Sequence, residues 1–160
     1  CDSFASFICY FIFFSAVIIS VRTDLQALVI IRLFSLWMVP VGISFSYLGL
    51  SAITVYESLL GASIGYIVLW VVAKLFKLLA KKDGLGVGDM EFLALIGAFL
   101  GPVGVWFSLM LGSFSGLIIG GSYLLLKGKG RATHIPFGPF LALGATLYFF
   151  FDSFLIKLFF

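Results

Sequence analysis

Gly84-Leu85-Gly86-Val87-Gly88-Asp89 is the stretch on which the reading of this chain turns. Three glycines at alternate positions let the backbone take positive φ and pass close to another strand. The run ends in a carboxylate where a long apolar stretch begins at Met90. An acid within or beside a membrane span is costly, and so is a functional candidate by default. A second acid, Asp24, stands in the short polar segment Arg22-Thr23-Asp24-Leu25-Gln26 that follows the first apolar run. The fold matters because it decides whether these two carboxylates meet.

Of the 160 residues, 62% are apolar and only 11% are charged. A soluble domain carries about 25% charged residues. The mean hydropathy is +1.24. Such a chain cannot clothe a water-facing surface, so the expected class is all-α: a polytopic integral membrane protein forming a single transmembrane domain over 1–160. The length allows about six crossings of roughly 20 residues each.

Apolar runs place helices at about 4–21, 29–50, 55–75, 89–100, 103–126 and 135–151. Pro40 removes one backbone hydrogen bond from the second and should kink it. Gly61 and Gly65 on the third, and Gly112, Gly116 and Gly120 on the fifth, form small-residue stripes where helices approach closely. Gly101-Pro102 separates the fourth from the fifth. The fourth is short for a full crossing, which predicts tilt or local thinning of the bilayer.

Charge then sets the topology. The connections Arg22 to Arg32, Lys74 to Asp89 and Lys127 to His134 hold every Lys and Arg except Lys157. The positive-inside rule puts that side in the cytoplasm. Asp24 and Asp89 fall together on it. The net charge of +3 follows from the same bias and implies no nucleic-acid partner. Cys1 and Cys9 make no C-x-x-C pair, so neither a zinc site nor a disulfide framework is indicated.

Two carboxyl groups sharing one proton can cleave an amide without a metal or cofactor. The ionised one takes a proton from water, and the protonated one polarises the scissile carbonyl. The glycine-lined strip Gly84, Gly86 and Gly88 is where an extended substrate would lie. Each acid also has a plainer role. Asp89 suits a helix N-terminus, and Asp24 suits a loop beside Arg22. Asp83 and Glu91 lie on the same side, so residue types alone leave the choice among four acids open. His134 reads as a helix-entry residue.

Lys82-Asp83-Gly84-Leu85-Gly86-Val87-Gly88-Asp89, with Phe92 to Gly101 after it and Ile135-Pro136-Phe137-Gly138-Pro139-Phe140-Leu141-Ala142 later, resembles the type IV prepilin peptidases. These are intramembrane aspartic proteases of the G-x-G-D kind. The later stretch matches the family's closing I-P-F-G-P-F-L-A. Asp24 aligns with the first aspartate of the family segment D-x6-P-D-x-L-T. The resemblance implies that Asp24 and Asp89 are the catalytic pair. It also implies cleavage of the short basic leader of prepilins or pseudopilins, on the cytoplasmic side of the bacterial inner membrane. The substrate helix and the bilayer are the implied partners. Many members also N-methylate the new amino terminus, an activity no residue here supports. The chain departs from the pattern at Ile31 and Arg32, where Pro-Asp is usual, and at Glu91, where Lys is usual. The competing expectation is a non-catalytic assembly subunit or a small transporter on the same scaffold, since glycine-broken helices and edge acids also suit solute paths.

Overall fold

The structure, a computed structural model, describes residues 3–27, 32–80, 86–127 and 137–159. They form five helical elements: α1 (Ser3–Ala27), α2 (Arg32–Tyr47), α3 (Val55–Ala80), α4 (Val87–Lys127) and α5 (Gly138–Phe159). The protein is an all-α membrane protein. Phe4–Gln26, Val55–Leu79 and Val87–Ile119 are long and apolar enough to cross a bilayer, and Gly138–Asp152 is a shorter apolar helix. Large apolar side chains point outward along these helices, among them Phe7, Phe11, Trp37, Phe114 and Leu117.

Helix ends differ from those expected of hydropathy, each for a local reason. Helix α1 does not stop at 21 but continues to Ala27. Polarity marks where a span leaves lipid, not where backbone hydrogen bonding ends. The hydroxyl of Thr23 donates back to the carbonyls of Ile19 and Ser20, so even this polar turn stays helical. Helix α2 stops at Tyr47 rather than 50. The Leu50 amide donates to Phe45 O at 3.0 Å and the Gly49 amide to Ser46 O at 3.2 Å, with Gly49 at φ 69. That is a Schellman termination, which glycine makes without a Cβ clash.

Helix α3 is opened by a capping box. The Thr54 amide donates to the Glu57 carboxylate at 2.8 Å, and the Glu57 amide donates to the Thr54 hydroxyl at 3.3 Å. The helix then runs on to Ala80, past the expected 75. On its last turns the Lys74 ammonium lies over the Trp70 ring, 4.3 Å from its centre, a cation–π contact suited to a membrane edge.

Helix α4 begins at Val87, two residues before the expected start, and breaks at Gly101 (φ 73, ψ −176). The break is a reversal. The first limb, 87–100, runs away from Asp89 along α3: Leu93 lies behind Gly65, Gly97 behind Gly61, and the Ser58 hydroxyl donates to Ala98 O at 2.6 Å. The second limb, 102–127, comes back along α5: Gly104 lies beside Tyr148, then Ser108 beside Gly144, then Gly112 and Gly116 beside Phe140. Phe140 is two residues from Gly138, whose amide reaches Asp24, so the second limb passes the level where the first began at about Gly116 and runs on to Lys127.

Every residue from Met90 to Gly101 is buried. The first limb is therefore the central post of the bundle, with α2 and α3 against it and the ring of Phe13 in α1 tilted against that of Phe99, centroids 5.2 Å apart. Its 14 residues reach only about 21 Å at 1.5 Å per residue, less than the roughly 30 Å of a hydrocarbon core. Because neighbouring helices sheathe it, that shortfall needs no bilayer thinning. The reversal puts both ends of α4 at the same end of the bundle as the end of α1 and the start of α5.

Candidate active site

Asp24 lies in the last turn of α1 and is 6% exposed. The backbone N–H of Gly138 donates to its Oδ2 at 3.0 Å, a buried bond. Gly138 is the first residue of α5. The first amides of a helix have no acceptor within the helix. A carboxylate there satisfies one of them and meets the positive end of the helix dipole. Asp24 thus caps a helix to which it does not belong.

Asp89 occupies the third position of α4 and is half-buried. Its amide donates to Gly86 O at 3.2 Å. Its carboxylate takes a backbone hydrogen bond from Gly86. This is the return half of a capping box, in which the third helical residue reaches back to the residue before the helix. A Cβ placed on Gly86 would lie 3.6 Å from Asp89 Oδ2. Glycine keeps the carboxylate's flank open.

The two carboxylates are near enough for the charge of Asp24 to act on Asp89. They arrive by different routes: one at the end of α1, the other at the start of the central limb. Each is held by the N-terminal amide of a helix. Both carboxylates are thus oriented by backbone amides rather than by mobile side chains.

The remaining sequence candidates sort out clearly. Gly86 is exposed beside Asp89, and Gly88 sits half-buried within the first turn of α4 instead of in an open strip. Gly84, Asp83, Ile31 and His134 lie outside the described residues. Glu91 is 2% exposed and lines a different cavity with Pro40 and Tyr66, between α2, α3 and α4. Residues two apart on a helix point to nearly opposite sides, so Glu91 faces away from the pair. The residue that the sequence reading missed is Gly138. The Ile135-Pro136-Phe137-Gly138-Pro139 run reads in the sequence as the start of a helix and as the family's closing motif, and neither reading points to the Gly138 amide. The signal was there: a helix that opens on glycine brings no capping side chain of its own.

The family model described as the type IV leader peptidase family matches residues 11–121. That span contains both aspartates. Curated relatives include proteins named prepilin leader peptidase/N-methyltransferase from three genera. The Xanthomonas campestris protein is 43% identical over 62% of this chain and 34% of its own length. The Aeromonas salmonicida protein is 39% identical over 66% and 36%. The Pseudomonas aeruginosa protein is 40% identical over 70% and 37%. The chain thus spans about a third of the length of the curated relatives it matches. No solved structure matches it. By the family match across most of its length, this chain is a member of the type IV leader peptidase family.

Proposed function

We propose that this chain is an aspartic endopeptidase that removes the basic leader of a type IV prepilin or pseudopilin, with Asp24 and Asp89 as its catalytic pair. One observation carries the assignment. Two acids from distant parts of a leader-peptidase chain lie close enough for the charge of Asp24 to act on Asp89, each tied to a helix N-terminus. Water held between them would lose a proton to the ionised carboxylate while the protonated one donates to the scissile carbonyl. The pair titrates as a unit, so acid and base are roles of the dyad and not of fixed residues. The open flank at Gly86 leaves room for an extended peptide beside Asp89. The site faces the cytoplasm of a bacterial inner membrane, at the end of the bundle where Arg22, Lys74 and Lys77 gather.

The test is leader removal from a full-length prepilin by the purified protein in detergent, compared with Asp24→Asn and Asp89→Asn. Cleavage by the parent and loss in both variants is the expected result. Normal processing by either variant would remove that residue from the mechanism.

A further inference from the structure

A cavity of about 370 Å³ lies between α2, α3 and the first limb of α4. Residues between Leu36 and Ile43 form one wall, residues between Leu59 and Tyr66 the other, and Glu91 and Ala94 the floor. We infer that this cavity binds an amphiphile of the bilayer that carries a primary ammonium head, with the head on Glu91 and the chain along the apolar walls. The site is separate from the aspartate pair, because Glu91 faces away from Asp89, and it does not depend on the peptidase function.

Polar and apolar ends are separated along the cavity. Gly65 of α3 lies against Leu93 and Gly61 against Gly97, while Gly42 of α2 lies against Ala98 and Phe99. Counting along each helix from these contacts puts Leu36 and Tyr66 level with the turn that holds Glu91. The same count puts Ile43 and Leu59 level with Phe99. Seven residues of helix separate the two ends, a rise of about 10 Å. The end with the acid is the end where α4 starts, and the apolar end runs toward the reversal at Gly101. An amphiphile in the adjoining leaflet has the same polarity, with its head at the membrane edge and its chain toward the middle.

The polar atoms here suit a donor. Glu91 is 2% exposed and brings a carboxylate to the floor. Pro40 has no N–H for the carbonyl of Leu36, four residues before it, and both residues line the cavity. Ser63 and Tyr66 add hydroxyls. An ammonium has three N–H donors and no acceptor, and a carboxylate accepts up to about four hydrogen bonds. Glu91 therefore keeps acceptor sites for a ligand beside its contacts within the protein. An ionisable side chain on a span is costly and marks a ligand or ion path by default. The rest of the lining is apolar, and a space of this size so lined fits a small organic molecule, whereas a bare metal ion would leave most of the walls untouched.

The mouth faces lipid. Leu36, Pro40, Leu59 and Tyr66 are exposed, and the last two belong to the span Val55–Leu79. A ligand therefore arrives from the bilayer, between α2 and α3.

The experiment reads the unfolding midpoint of the full chain in a neutral detergent with decylamine, decanol or decanoate added. A compound that binds only the folded protein raises the midpoint. The expected result is a rise of roughly 3 °C with decylamine and almost none with the other two. Glu91→Gln removes the charge and keeps the shape, and Ser63→Trp fills the mouth from an exposed position. In each variant about tenfold more decylamine should be needed for the same rise. An equal rise with decanol, no rise with any of the three, or an unchanged decylamine response in either variant would overturn the site. Native mass spectrometry of the parent and of Glu91→Gln, taken from vesicles of mixed phosphatidylethanolamine and phosphatidylglycerol, identifies the source of the amine. Phosphatidylethanolamine held by the parent and lost from Glu91→Gln makes the ligand an ethanolamine phospholipid. A Glu91-dependent decylamine response without that retention makes it a single-chain amine.

Discussion

Asp24 and Gly138, 114 positions apart in sequence, share one buried hydrogen bond of 3.0 Å from the glycine amide to the acid. It joins the end of α1 to the start of α5 and fixes where one member of the proposed pair points. Proline is tolerated at the first position of a helix but has no N–H. Gly138→Pro therefore keeps α5 and deletes the donor. Leader cleavage should fall about ten- to a hundredfold in kcat with KM little changed, because the loss touches alignment and not substrate contact. Gly138→Ala, which keeps the amide, should retain far more activity. Equal loss in both would show that the glycine acts through space and not through its N–H.

The same bond separates two ways of removing Asp24. Asparagine keeps an acceptor for Gly138 but cannot exchange a proton as an acid does. Alanine removes both functions and leaves a buried amide unpaired, which costs about 1–3 kcal/mol. Both variants should lose cleavage by on the order of a thousandfold or more. Only Asp24→Ala should also unfold several degrees earlier in detergent. Similar melting of the two variants would mean that the Asp24–Gly138 bond adds little to stability.

How much of this was legible in the sequence follows from what each signal measures. Hydropathy found the apolar helices seen among the described residues, because the cost of exposing polar backbone to lipid acts on runs of residues. It misplaced several of their ends, because Thr23 and Gly49 act through local hydrogen bonds that no average over a window reports. Gly101-Pro102 was visible as a break, since only a positive φ at glycine turns the chain so sharply there. The two aspartates were visible as acids on one face. That the amide of Gly138 holds one of them was not, because the partner is backbone and carries no residue type. Glu91 shows the reverse: it is close to Asp89 in sequence, yet helix geometry turns it into another cavity.

The contact between α3 and the central limb depends on the absence of side chains. A Cβ on Gly61 or on Gly97 would collide with the backbone of the other helix, which cannot shift without parting the pair. Gly97→Val should destabilise by about 1–3 kcal/mol through overpacking and lower the unfolding midpoint in detergent. The Ser58 hydroxyl crosses the same interface to Ala98 O at 2.6 Å, and the residue four on from Ala98 is Pro102, which has no N–H to offer that carbonyl. Ser58→Ala should therefore cost about 1–3 kcal/mol, the penalty of a buried acceptor left unpaired. Were the serine change the costlier one, polar bonding and not close packing would hold the two helices together.

The reversal at Gly101 links stability to the site without touching it. At φ 73 and ψ −176, a backbone region open essentially to glycine alone, an L-residue is strained by roughly 1–3 kcal/mol. The space around Gly101 is not the obstacle, because the atoms nearest an added Cβ lie at ordinary contact distances of 3.6 Å or more. Gly101→Ala should therefore lower stability through backbone strain alone. Gly101→Asn should recover none of it, since asparagine tolerates the left-handed helical region and not the extended ψ of −176 found here. Both variants should leave KM for prepilin unchanged at temperatures where the protein stays folded, because the turn lies at the opposite end of the bundle from Asp24 and Asp89. Melting curves of the two variants in detergent, read beside their cleavage kinetics, check this. A change in KM at full folding would mean that the direction of the central limb, and with it the placement of Asp89, is set at the turn rather than by the glycine contact with α3.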